Sequence, residues 1–292
     1  MQPEIKYIDI HAHLNFPDYD QDREEVIRRA YTEGVAIINI GTTIESSQKV
    51  IEIAERYIEV HPHLYAIPGI HPTEICDWFE EAMSSGVQIG DVELQTTEGR
   101  IDSILAELAG LVKHKKVVGI GECGIDVFRV PEQYRTHMLG LQKRLFIGQI
   151  EIALEHNLPL MIHARESYAE ILEILDGNFM GDKAKLRGNI HFFAGSPEEA
   201  ELFLKRGFTV SFTGVITFAK VYEGVISKLP AHRFMSETDC PFVAPVPFRG
   251  KRNEPVYVIE VVKKMAQIRG ISEVGMAKEL LTTAKEVFAL EF

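Results

Sequence analysis

The chain has 292 residues, a net charge of −12, and 46% hydrophobic against 25% charged residues. That length suits one α/β barrel, and the balance is that of a globular protein with a large core. The acidic total excludes a broad, charge-driven nucleic-acid surface, which needs a basic face, but leaves room for a phosphate site built around bound cations.

In chain order, short β-branched runs alternate with longer segments of helical period. Residues 5–10 (IKYIDI) predict a first strand and 22–33 a helix; 35–40 (VAIINI) and 45–57 predict the next pair, and 64–68 (LYAIP) a third strand. The polar, glycine-containing stretch 83–100 is expected to be irregular. It precedes a helix at 101–113, where Ile101, Ile104, Leu105, Leu108 and Val112 recur at the spacing of one apolar face. Strands at 117–121, 158–162, 188–193, 208–212 and 233–237 then alternate with helices at 132–156, 167–176, 197–206 and 217–229. Helices at 255–269 and 273–288 follow the last strand. Ser196-Pro197-Glu198-Glu199 reads as an N-cap, a proline at the first helical position and acids in the first turn.

Strand–helix alternation repeated eight times predicts a parallel sheet closed into a (β/α)8 TIM barrel, as a single domain over 1–292. No linker-like stretch divides the chain, and no GxGxxG follows the first strand. Cys76, Cys123 and Cys240 are odd in number and lack CxxC spacing, which predicts free thiols. No apolar run reaches the length of a bilayer span, and the start, MQPEIKYIDIHAH, lacks the pattern of a secretory signal. The expected location is the cytoplasm, with no membrane and no obligate protein partner evident.

Ionisable residues recur at the carboxyl ends of the predicted strands: His11 and His13 on the first, Glu122 on the fourth, His163 on the fifth, His191 on the sixth and Asp239 on the eighth. Strand alternation puts Asp9, His11 and His13 on one face, and a barrel brings its strand ends into a ring. A lone histidine on a strand is ordinarily a hydrogen-bonded core residue. Six ligand-type residues at matching ends are different, because a buried polar network without cations leaves its carboxylates unpaired. Histidines with two carboxylates suit Zn2+, Mn2+, Fe2+ or Ni2+, with Mg2+ open. Six ligands exceed one tetrahedral ion with a free position, so two divalent cations per chain are expected, bridged by Glu122. Asp239 is expected both to bind a metal and to take a proton from water.

Taken together, His11-Ala12-His13-Leu14 after Ile8-Asp9, Gly69-Ile70-His71-Pro72, Gly121-Glu122-Cys123-Gly124-Ile125-Asp126, Ile162-His163-Ala164-Arg165, His191-Phe192-Phe193-Ala194-Gly195 and Glu237-Thr238-Asp239-Cys240-Pro241 resemble the successive signatures of TatD-type hydrolases. The tail from Ala244 to Pro255 and the helix residues Gln142, Phe146 and Gln149 are similar to that family's as well. The resemblance runs from about residue 5 to the C-terminus. It implies a metal-dependent hydrolase of the amidohydrolase-like superfamily, often described as a deoxyribonuclease, with the same six residues as ligands. Some members are instead linked to removing D-amino acids from tRNA. Ile125, Val127 and Phe192 depart from the usual pattern, and the stretch between His71 and Glu122 is longer than usual.

The expected reaction is hydrolysis of a DNA phosphodiester by a hydroxide held between two metals. A single-stranded end is favoured over a stiff duplex. The alternatives are ester or amide hydrolysis, such as D-aminoacyl-tRNA deacylation, and an inactive metal-containing binding protein. For substrate contact, His71 is either a donor to the leaving group or a capped turn. Arg165 holds a phosphate or pairs with Glu166 or Glu170, and Arg249 forms with Lys251 and Arg252 a small basic loop that either contacts a phosphate or is a solvated loop pinned by the surrounding prolines. Glu237 is expected to orient a ligand, and Cys123 and Cys240 to pack away from the site.

Overall fold

The structure is a computed structural model that describes residues 3–84, 91–128, 130–177 and 185–292. Eight strands follow one another: β1 (Tyr7–Ala12), β2 (Val35–Ile40), β3 (Leu64–Ile67), β4 (Ile120–Asp126), β5 (Leu160–Arg165), β6 (Gly188–Ile190), β7 (Phe208–Phe212) and β8 (Phe234–Ser236). They form two parallel arcs, β1-β2-β3 and β4-β5-β6-β7-β8. Isolated parallel bridges, Ala66 to Val117 and Ala12 to Cys240, join the arcs at both seams. The strand order is that of a TIM barrel, with bridges rather than continuous ladders at the seams.

The helices are α1 (Arg23–Thr32), α2 (Ile44–Arg56), α3 (Glu74–Ser84), α4 (Asp91–Leu111), α5 (Arg135–Glu155), α6 (Tyr168–Gly177), α7 (Pro197–Leu204), α8 (Glu223–Ile226), α9 (Val258–Arg269) and α10 (Glu273–Phe288). Local chemistry sets their ends. Thr43 caps α2 and Ser196 caps α7, each in a reciprocal box with the residue three on, while Gly270 ends α9 in the left-handed region. Residues 83–100 are not one irregular stretch: α3 runs to Ser84 and α4 begins at Asp91, and the residues between lie outside the described ones. The expected helix at 217–229 shrinks to α8, preceded by short 3-10 turns at 214–217 and 220–222.

Two apolar clusters divide the interior. One lies between strands and helices. The other fills the inside of the strand ring with Ile8, Ile10, Ile38, Ile67, Met161 and Met235, and is closed by Ala284, Phe288 and Leu290 at the chain's end. The last helix therefore plugs one end of the ring, which leaves the carboxyl ends of the strands as the open face.

Candidate metal centre

The site starts with a break in strand alternation. Ile8 and Ile10 face the ring interior, whereas Ala12 and Leu14 join the helix-facing core. The β1–β2 register shifts between Asp9 and Ala12, and this bulge turns His11 and His13 inward. Asp9 was expected on the same face as these histidines, but it belongs to none of the candidate cation groups. It is fully buried and accepts hydrogen bonds from the Thr238 N–H (2.8 Å), the Thr238 hydroxyl (2.5 Å) and the His11 N–H (3.2 Å). Asp9 thus ties β1 to the segment after β8, and burial pushes its carboxyl well above the usual range.

A second shift, between Ile120 and Cys123, does the same for β4, which lies later than the expected 117–121. Glu122 is therefore inside the strand, not at its end. Gly124 adopts φ +138°, and a Cβ there would clash with the His163 carbonyl; one at Gly69 would clash with Gly121. These close approaches set Glu122 beside His163 on β5 and beside His71 after β3.

The two oxygens of Glu122 face different partners. Oε2 lies 3.3 Å from His11 Nε2 and 3.8 Å from His13 Nε2. Oε1 lies 2.8 Å from His163 Nδ1, 3.5 Å from His71 Nε2 and 3.7 Å from His191 Nε2. Asp239 Oδ1 is 3.5 Å from His13 Nε2 and 3.9 Å from His11 Nε2. Its backbone is left-handed at φ +55° and is held by donation of its N–H to His11 O at 2.9 Å.

These residues fit a cation. His13 Nδ1 lies 3.1 Å from the Ile40 carbonyl, so the ring N–H donates there and Nε2 presents its lone pair. That atom is 3.1 Å from His11 Nε2, so two imidazole nitrogens converge beside two carboxylates. Three groups of potential ligands result: His11, His13 and Glu122; His11, His191 and Asp239; and His71, Glu122 and His163.

The surrounding charges hold the carboxylates ionised. Burial works against ionisation at Glu122, yet His71, His191 and His11 keep its carboxyl well below the usual range. Burial likewise opposes ionisation of Asp239, and His13, His191 and His11 bring it down on balance. His191 is pushed up to about 10: burial disfavours its charge, but Glu237 and Glu122 outweigh that. His163 is raised despite burial by Asp126 and Glu122, whereas burial lowers His11 and His71.

Two carboxylates orient the imidazoles. Glu237 Oε2 lies 3.0 Å from His191 Nδ1 and accepts the Ser211 hydroxyl at 2.7 Å, while Oε1 accepts the Phe192 N–H at 2.8 Å. Asp126 was assigned no role from the sequence, yet its Oδ2 sits 3.0 Å from His163 Nε2. The available signal was its spacing, four residues after Glu122 on the same strand face. Helix α5 fixes both neighbours: Gln142 exchanges two hydrogen bonds with the Asp126 backbone and Gln149 two with the Ile70 backbone, beside His71.

The remaining candidates divide. His71 Nδ1 accepts from the Thr73 hydroxyl (2.7 Å) and N–H (3.2 Å), which leaves Nε2 to carry the proton toward Glu122; the capped turn and the donor are both present. No carboxylate among the described residues pairs with Arg165, whose guanidinium lies over Phe128 at 3.6 Å. Arg249 lies over Phe218 at 3.9 Å. Arg252 is not available to the mouth, because it pairs with Asp22 (2.6 Å) and Glu254 (3.3 Å). Cys123, Cys240 and Cys76 are buried and form no disulfide. A cavity of about 640 Å3 opens above the cluster, lined by His13, His71, Glu122, His163, His191 and Asp239 and rimmed by Phe16, Arg165, Tyr222 and Phe242. His11 lies beneath this floor, fully buried. No helix among the described residues is long and apolar enough to cross a membrane.

The profile of TatD-related DNases matches residues 8–289. A Bacillus subtilis protein named as an uncharacterized metal-dependent hydrolase, YabD, is 36% identical over 97% of this chain and 98% of its own length. An Escherichia fergusonii protein named 3'-5' ssDNA/RNA exonuclease TatD is 27% identical over 97% of this chain and 99% of its own. The crystal structure of the TatD homolog YJJV from Escherichia coli K12 superposes with a TM-score of 0.76 at 27% identity, covering 98% of this chain and 99% of that one. The chain therefore belongs to the family of TatD-related DNases and is a metal-dependent hydrolase of ester bonds, of the nuclease class.

Proposed function

We propose that this chain hydrolyses phosphodiesters of single-stranded nucleic acid in the cytoplasm, with two divalent cations held by His11, His13, Glu122, His163, His191 and Asp239. The observation that carries this reading is the division of Glu122: one oxygen faces His11 and His13, the other His163, His71 and His191. A carboxylate so placed suits a bridge between one cation beside His11, His13 and Asp239 and another beside His163 and His191. Bound there, the cations would supply Lewis acidity toward the phosphoryl oxygens and lower the pKa of water.

The chain's own residues do the rest. Asp239 borders the cavity with its carboxylate ionised, and takes the proton as the oxygen of water bonds to phosphorus and the phosphorus–oxygen ester bond breaks. His71, neutral through burial and with its proton directed by Thr73 to Nε2, donates to the oxygen that gains charge. Arg165 stands exposed at the rim, where its guanidinium edge can hold a neighbouring phosphate. Three cysteines without a disulfide among them support a reducing compartment.

The test is a metal-reconstituted panel of single-stranded DNA, single-stranded RNA, duplex DNA and D-aminoacyl-tRNA. Shortening of the single strands ahead of the duplex is expected. Release of the amino acid with no cleavage of any strand would overturn the reading in favour of a deacylase.

A further inference from the structure

The three phenylalanines that stay exposed among the described residues are Phe128 (53%), Phe242 (51%) and Phe218 (42%). All three belong to segments that rim the open face, where burial gives no reason for them. Phe242 lines the cavity and meets Phe16 edge-on at 6.0 Å, and Phe16 in turn stacks on His13 at 4.7 Å. It is thus two rings out from a candidate ligand. Phe128 lines a second cavity of about 720 Å3 that shares Ala164, Arg165 and Ala194 with the first, so one groove leads from the ligands to its ring.

None of the three sits on a loose tether. The Phe128 N–H donates to Asp126 Oδ1 at 2.9 Å, and the Phe242 N–H donates to the Asp239 carbonyl at 3.0 Å. Two residues of the metal centre therefore anchor these segments, Asp126 through its carboxylate and Asp239 through its backbone carbonyl. The Phe218 N–H donates to the Val215 carbonyl at 3.1 Å, and the neighbouring Thr217 hydroxyl accepts the Val246 N–H at 2.9 Å, tying the turn to the loop after β8. Arg165 lies over Phe128 and Arg249 over Phe218, and both arginines are exposed. A guanidinium stacked on one ring keeps its other face and its N–H edge open, the first for a base and the second for a phosphate.

Resting on the nuclease reading above, we propose that Phe128, Phe218 and Phe242 are stacking platforms for the bases next to the scissile phosphate, and that they set the preference for single strands. In a duplex the bases already stack on one another and cannot lie on a protein ring, whereas unpaired bases can, whatever their identity. The acidic chain requires such a device: with −12 net charge, grip along many phosphates is not available to it, and stacking holds a strand without added cationic charge.

The experiment compares, on metal-loaded protein, a single-stranded oligonucleotide with a strand of the same length built of abasic spacers. It uses the parent and the Phe128→Leu/Phe218→Leu/Phe242→Leu variant, with Phe242→Leu alone as a second variant. Leucine keeps each position apolar but removes the ring, and unchanged thermal midpoint and metal content report that the fold is kept. The parent should show a KM about tenfold or more lower for the base-bearing strand. In the triple variant the ratio of the two KM values should fall to about one, and the single variant should lie between. Equal KM values in the parent, or a triple variant that keeps the full preference, would overturn the platforms while leaving the nuclease reading intact. No hydrolysis of either strand by the parent would remove both.

Discussion

At the scale of single residues, the site depends on groups that touch no substrate as much as on those that would. Glu237 Oε2 lies 3.0 Å from His191 Nδ1 as a charge partner and is itself held by Ser211 and the Phe192 backbone. Glu237→Gln keeps the volume but removes the charge that fixes the imidazole, so cation affinity should fall about 10- to 100-fold with the fold retained. Cation titration of the variant checks this, and unchanged affinity would mean that His191 needs no orienting partner. Much of the cluster was legible in the sequence, because histidines and carboxylates at successive strand ends have few other reasons to recur. Asp126 was not, since an aspartate four residues past Glu122 has many possible roles until the partner's ring is in place. Nor was the parting of Asp9 from His11 and His13: strict alternation puts all three together, and only a bulge, which leaves no simple mark in the residues, separates them.

At the scale of elements, helix α5 is the brace. Gln142 and Gln149 lie two turns apart on one buried face, and each satisfies an N–H and a carbonyl at a strand end. Gln149→Leu leaves both Ile70 groups buried without partners, which should cost about 2–4 kcal/mol of stability. Denaturant unfolding reads this directly, and a loss under about 0.5 kcal/mol would contradict the brace. A second element-scale expectation concerns His61, fully buried between α2 and β3, with Nε2 2.7 Å from the Val35 carbonyl on β2. Burial pushes its pKa from 6.5 down to about 4. Between those values the unfolded chain takes up a proton that the folded chain refuses, so stability falls as pH drops from about 6.5 toward 4 and is unaffected above that window. The contribution is on the order of 3 kcal/mol. His61→Gln can still donate to Val35 but cannot titrate, and its stability should vary less with pH over that window. Identical pH profiles would show that His61 is not the group responsible. The strands themselves were legible from β-branched runs, but β4 begins three residues late, because VVG packs at the seam before the ladder to β5 starts at Ile120. Helix α3 was missed because its polar, acidic face hid a pattern that tertiary packing of Ile75 and Trp78 makes effective.

At the scale of the whole molecule, an acidic chain that acts on nucleic acid must concentrate its contacts at the open face. Arg252 is already paired with Asp22 and Glu254, which leaves Arg165 and Arg249 as the arginines stacked at the rim. With two or three phosphates neutralised, log affinity for a single strand should fall with log salt at a slope of about −2 or shallower. Binding of an inactive, metal-loaded variant across a salt series measures it; a slope of about −6 or steeper would require an extended basic surface that the fold does not display. The most direct test of the account is Glu122→Gln, assayed for metal content and for hydrolysis of a single-stranded oligonucleotide beside the parent. The parent should bind about two divalent cations per chain and shorten the strand. The variant should keep the fold, lose cation occupancy and fall about 1,000-fold or more in turnover, since an amide cannot serve two cations as an anion. A variant that hydrolyses the strand within a few-fold of the parent would contradict the central claim.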